Sequence, residues 1–117
     1  EGPTDLAACL DWGLAAIGRP SCSGGTRDVV AYVRQHRPSE VVVLADADEP
    51  GRCGAETLAG VLVAYTAACR VTAPPPGIKD ARAWRRSGAE ARDVLAAIET
   101  APTRKLQVTS QWSRIHG

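Results

Sequence analysis

Apolar residues run without interruption from Val41 to Ala45 and recur at helical spacing in several other stretches. The run Val41-Val42-Val43-Leu44-Ala45 is mostly β-branched and shows no alternation, which predicts a strand buried on both faces, as in a parallel sheet. Ahead of it, Leu6, Leu10, Leu14 and Ile17 keep a helical spacing, with Cys9 and Gly13 on the same face. The prediction there is a helix over residues 4–17, capped by Thr4 and ended by Gly18, with Trp12 at the edge of the stripe. Val29, Val30 and Val33 mark a second helix, residues 27–36, closed by Arg37-Pro38-Ser39. A third spans residues 52–66 and turns Ala55, Leu58, Ala59, Leu62 and Tyr65 inward. Helices over residues 81–86 and 89–100 follow, separated by Gly88. Arg70-Val71-Thr72 reads as a short strand, and Pro20-Ser21-Cys22 and Leu106-Gln107-Val108 are further strand candidates.

Strand and helix alternate, which implies an α/β domain with a mostly parallel sheet of about four strands and helices on both faces. The domain is expected over residues 1–100, with residues 101–117 as a tail, part of it disordered. Helix precedes the first strand, so the strand expected ahead of Glu1 in such an alternation is absent from the pattern.

Length and composition narrow the class. A chain of 117 residues is one domain with room for a core, and its net charge of +1 neither requires nor excludes a nucleic-acid partner. No apolar run approaches a membrane span and no secretory signal opens the chain, so a cytoplasmic protein is expected. The cysteines, Cys9, Cys22, Cys53 and Cys69, form no C-x-x-C pair, which argues against a structural zinc and for free thiols in a reducing compartment.

The chemistry gathers after the central strand. Asp46 and Asp48 stand two positions apart just past it, so in extended chain they point the same way, and Pro50-Gly51 ends the strand. In a parallel sheet the strand-to-helix loops emerge at one edge, where ligands of such folds bind. That edge would gather Glu1, before the first helix, the Asp46–Asp48 pair, and Asp80, after the last strand. Carboxylates grouped in this way suit a divalent cation such as Mg²⁺, which takes a few carboxylates together with water and substrate phosphates. The purely structural alternative is that Asp46 opens a turn and that Asp48 or Glu49 favours the helix N-terminus.

Glu1-Gly2-x-x-Asp5, Asp46-x-Asp48-x-x-Gly51 and Pro76-Gly77-x-Lys79-Asp80, in this order and at domain-like spacing, resemble a Toprim domain. That is the module shared by bacterial primases, type IA and type II topoisomerases, OLD-type nucleases and RecR-type repair proteins. The resemblance covers residues 1–99, and its Gly-x-Lys-Asp loop is most similar to DnaG-type primases and the primases of phages and mobile elements. It implies a Rossmann-like three-layer fold and metal-dependent nucleotidyl or phosphoryl transfer in DNA replication. Mg²⁺ or Mn²⁺ would be the cofactor, and nucleotides and a single-stranded DNA template the partners, with a helicase or further domains of a longer protein beside them. Glu1 would match the general acid or base, Asp46, Asp48 and Asp80 the metal ligands, and Gly2, Asp5, Gly51 and Gly77 the loop residues that support the site. The sequence departs from the family pattern in lacking the first strand and in carrying Arg82 where primases often have a second acid. A Toprim nuclease or topoisomerase fragment, or a non-catalytic repair scaffold, are the alternatives within the resemblance.

Lys79, Arg82, Arg85 and Arg86 form a basic group that either follows a nucleic-acid backbone or is simply a solvated helix face. Ser23-Gly24-Gly25 is either a small anion nest or a plain turn. Tyr32 and Tyr65 fall in predicted helices and make poor topoisomerase nucleophiles. The chain has no G-x-x-x-x-G-K-[ST] loop, which removes P-loop ATPase chemistry, and its Ser23-Gly24-Gly25 does not fit the G-x-S-x-G elbow, which leaves serine hydrolase chemistry with little support.

Overall fold

The computed structural model describes residues 1–106. Its elements are α1 (Pro3–Asp11), α2 (Thr26–His36), β1 (Glu40–Leu44), α3 (Glu49–Leu62), β2 (Ala68–Thr72), α4 (Ala81–Arg86) and α5 (Ala91–Thr100). The strands pair in parallel, with Val41 opposite Cys69 and Val43 opposite Val71. Among the described residues the sheet has these two strands, not the four expected.

The lack of alternation in β1 has the cause expected of it. Val43 and Cys69 are buried, and with Val41 and Val71 they pack on one face against α2 and α3 through Val29, Val33, Leu58 and Leu62. Leu44 turns to the other face, onto a second core built from α1, α4 and α5. There Trp12 and Trp84 meet edge to face at 5.7 Å, and the Trp12 indole N–H donates to the Ala89 carbonyl at 2.9 Å. Trp12 is therefore a core residue rather than an edge one.

Several boundaries move for local reasons. Helix α1 ends at Asp11, not Ile17. Gly13 takes a left-handed φ of 79°, and Leu14 N–H returns to Cys9 O while Gly13 N–H returns to Leu10 O, a Schellman stop. The helix begins at Pro3 with Gly2, not Thr4, at the cap. Leu10 and Ile17, placed on the inner stripe by spacing, are exposed. Helix α3 starts earlier than its apolar pattern, at Glu49, because Asp48 caps it and Pro50 is tolerated in a first turn. It stops at Leu62, which leaves Tyr65 exposed in the following turn. Pro20-Ser21-Cys22 is a bend with no strand pairing, since proline gives no N–H to a ladder. Leu106 is exposed and unpaired in any strand, and the rest of that candidate, Gln107 and Val108, lies outside the described residues.

One docking contact had no sequence signal. Arg104 pairs through its backbone with Cys69 on the outer edge of β2, in antiparallel sense, and its guanidinium grips Glu56 on α3.

Candidate functional site

Three loops meet at the carboxyl end of the sheet. The β1–α3 turn holds Asp46, Ala47 and Asp48, and the segment before α4 holds Gly77, Ile78, Lys79 and Asp80. Ala47 N–H donates to the Lys79 carbonyl at 2.7 Å, which ties the two together. The third part is the start of α1: Asp5 Oδ1 accepts the Arg82 backbone N–H at 3.1 Å, and the Glu1 ammonium stands 3.9 Å from Asp5 Oδ2.

Asp46 lies at the centre. It is half-buried, and burial pushes its carboxyl above the usual range. The neighbouring Asp5 charge pushes the same way, as do Glu1 and Asp48 to a smaller degree, while the amino terminus opposes them. Asp46, Glu1 and Asp5 also line one cavity. Asp5, expected only to support the loop, is thus a full member of the carboxylate group. The available signal was its place one helical turn after Glu1.

Asp48 and Asp80 also serve structure. Asp48 Oδ1 accepts the Gly51 N–H at 2.7 Å and Asp80 Oδ1 accepts the Ala83 N–H at 2.8 Å, each capping its helix. The structural alternative for Asp48 therefore holds, and it applies to Asp80 too. The Arg52 guanidinium donates to Ala47 O at 2.7 Å and fixes the turn between the aspartates, a role with no motif to announce it.

Gly51 is buried against this turn. A Cβ there would lie 2.8 Å from Asp46 Cβ and from Asp48 Oδ1, and 3.0 Å from Asp46 O. Its glycine is needed for the close approach of the helix start to this turn. Gly2 and Gly77 instead have left-handed φ angles of 82° and 87° and open space around them. Lys79, Arg82, Arg85 and Arg86 are exposed, and Arg85 pairs with Asp11 at 3.2 Å. Tyr32 and Tyr65 are exposed, and Tyr32 lines the same cavity as Glu1, Asp5 and Asp46. The Ser23-Gly24-Gly25 segment packs back on Pro20 and Ser21.

The donor set is all carboxylate oxygen, which suits a hard cation. Among the described residues no three such side chains are grouped to hold an ion by themselves. The arrangement fits a cation carried by one or two carboxylates, with water and phosphate oxygens completing its shell. Among the described residues no helix is long and apolar enough to cross a membrane. No family model, curated protein or solved structure matches the chain.

Proposed function

We propose that this chain is a Toprim-like domain that handles nucleotide or nucleic-acid phosphates with a divalent cation, as the catalytic part of a primase-like protein in DNA replication. The observation that carries the reading is the Ala47–Lys79 hydrogen bond, which joins the D-x-D turn to the Gly-x-Lys-Asp loop beside Glu1 and Asp5. Asp46, and the Asp48 carboxylate oxygen that does not cap α3, would hold Mg²⁺ or Mn²⁺. A bound cation would supply charge neutralisation for the transferring phosphoryl group and its pyrophosphate leaving group. Lys79 and Arg82, exposed beside the carboxylates, would orient phosphates by charge. Glu1 would move a proton at its carboxylate. Single-stranded DNA and nucleotides are the partners this reading calls for, with helicase or further domains completing a primase.

A second reading has its own support. Asp48 and Asp80 are both helix caps, and among the described residues no three-ligand group stands ready, which favours a scaffold that binds nucleic acid without turnover.

Calorimetric titration separates the two. Mg²⁺ is titrated into the full chain with and without a nucleoside triphosphate, beside an Asp46→Asn control. Tighter Mg²⁺ binding with the nucleotide, lost in the control, supports the transfer domain. Heat from single-stranded DNA alone, indifferent to Mg²⁺ and to the control, supports the scaffold.

A further inference from the structure

Arg19 lies half-buried between α1 and α2 and lines one cavity with Glu1, Asp5 and Asp46. Its backbone is tied to the acidic group, because its carbonyl accepts the Gly2 N–H at 3.1 Å. Its side chain is tied as well: Nε donates to the Gly24 carbonyl at 3.0 Å. The Ser23-Gly24-Gly25 turn presents that carbonyl. A Cβ on Gly24 would lie 2.7 Å from Ser21 Oγ, and one on Gly25, whose φ is 73°, would lie 2.7 Å from Pro20 Cδ. The two glycines therefore let the turn fold back on the residues that follow Arg19.

Held at Nε, the guanidinium keeps Nη1 and Nη2, and neither has a protein partner among the described residues. Three carboxylates line its cavity, yet it forms no ion pair with them. Asp5 instead receives the Arg82 backbone N–H and stands 3.9 Å from the Glu1 ammonium. Arg52 is spent on Ala47 O and Arg85 on Asp11, while Lys79 and Arg82 are exposed and do not line the cavity. A half-buried charge with no counter-charge is costly. Two parallel N–H donors on a rigid plane suit two oxygens of one phosphate.

We infer that Arg19 is a phosphate-binding residue of this site, gripping two unesterified oxygens of a single phosphate through Nη1 and Nη2. The inference rests on the metal-dependent reading above. A cation on Asp46 would bring phosphate oxygens into the cavity, and Arg19 would meet the same phosphate from the side of the Ser-Gly-Gly turn. A nucleotide and a nucleic-acid backbone both offer such a phosphate.

Calorimetry on the full chain tests this with Mg²⁺ alone, then with ATP and with oligothymidylate lacking terminal phosphates, each in saturating Mg²⁺. Arg19→Gln is expected to weaken one of the two phosphate ligands roughly tenfold or more, while binding Mg²⁺ alone at least as tightly as the parent. Loss with ATP assigns the phosphate to a nucleotide, and loss with oligothymidylate assigns it to a backbone. Arg19→Lys keeps the charge but not the fork and is expected to follow Arg19→Gln. In the parent, the Arg19 Nε–H resonance is expected to shift with the bound ligand. Unchanged affinity for both ligands in Arg19→Gln, or a parent that binds neither, overturns the inference, and Mg²⁺ binding that still depends on Asp46 then leaves the domain reading standing. A lysine variant as tight as the parent overturns the two-oxygen grip. An unmoved Nε–H resonance overturns the inference even where the variants misfold. A parent that binds no Mg²⁺ overturns the domain reading itself, and this inference with it.

Discussion

Gly51 offers a sharp test of how the D-x-D turn is built. Its backbone is not left-handed, so alanine meets no conformational barrier there, and helix propensity alone favours alanine by about 0.8–1.0 kcal/mol. Steric contact decides otherwise. The new Cβ would meet Asp46 Cβ at 2.8 Å, well inside the ~3.5–4.0 Å of an ordinary carbon contact. Asp46 cannot easily yield, because Ala45 N–H is bonded to Thr72 O at 2.8 Å and Ala47 N–H to Lys79 O at 2.7 Å. Overpacking of this kind costs about 1–3 kcal/mol. The Asp48 cap on the Gly51 N–H is disturbed as well, at roughly 1 kcal/mol. The net expectation for Gly51→Ala is a loss of about 1–3 kcal/mol, or a Tm lower by roughly 4–12 °C in a chain of this size. Gly60, in the same helix, has nothing within 4 Å of its would-be Cβ, so Gly60→Ala should gain about 0.5–1 kcal/mol. Urea unfolding by circular dichroism, at unchanged slope, measures both. If Gly51→Ala matches Gly60→Ala in sign and size, the close packing of the helix start on Asp46 is refuted.

Three further outcomes are expected. Asp46 takes up a proton more readily folded than unfolded, so its contribution to stability falls as pH rises from the ordinary carboxylate range through its raised folded value. Asp46→Asn should remove that dependence and be more stable than the parent at neutral pH, and a variant that is equal or weaker throughout in pH-dependent urea melts would contradict this. Asp80→Ala should lose about 1 kcal/mol with the α4 cap, while Asp80→Asn, which can still accept the Ala83 N–H, should retain most of it. Trp84→Ala should cost about 3–5 kcal/mol and abolish the near-ultraviolet signal of the Trp12–Trp84 pair.

The parts of the fold that were legible in the sequence were those written in local periodicity. The run from Val41 announced β1, and the spacing of Leu58, Ala59 and Leu62 announced the buried face of α3. Its boundaries were set by single groups that periodicity ignores: Gly13 stops α1 through backbone bonds, and Asp48 starts α3 through a cap. The meeting of acidic loops followed from parallel topology, since strand-to-helix loops share an edge. That Asp5 crowds Asp46, and that Arg52 braces the turn, depended on side-chain reach across elements, which spacing along the chain does not encode. The burial of Trp12 depended likewise on a partner 77 residues away, the Ala89 carbonyl.

The most direct test of the carboxylate site is amide NMR during Mg²⁺ or Mn²⁺ titration of the full chain, with Asp46→Asn as control. The account predicts saturable shifts at Asp46 and Asp48, with smaller ones at Gly2, Asp5 and Asp80, all lost in the control. Amides that stay unmoved at millimolar metal, or shifts that persist in Asp46→Asn, would contradict it.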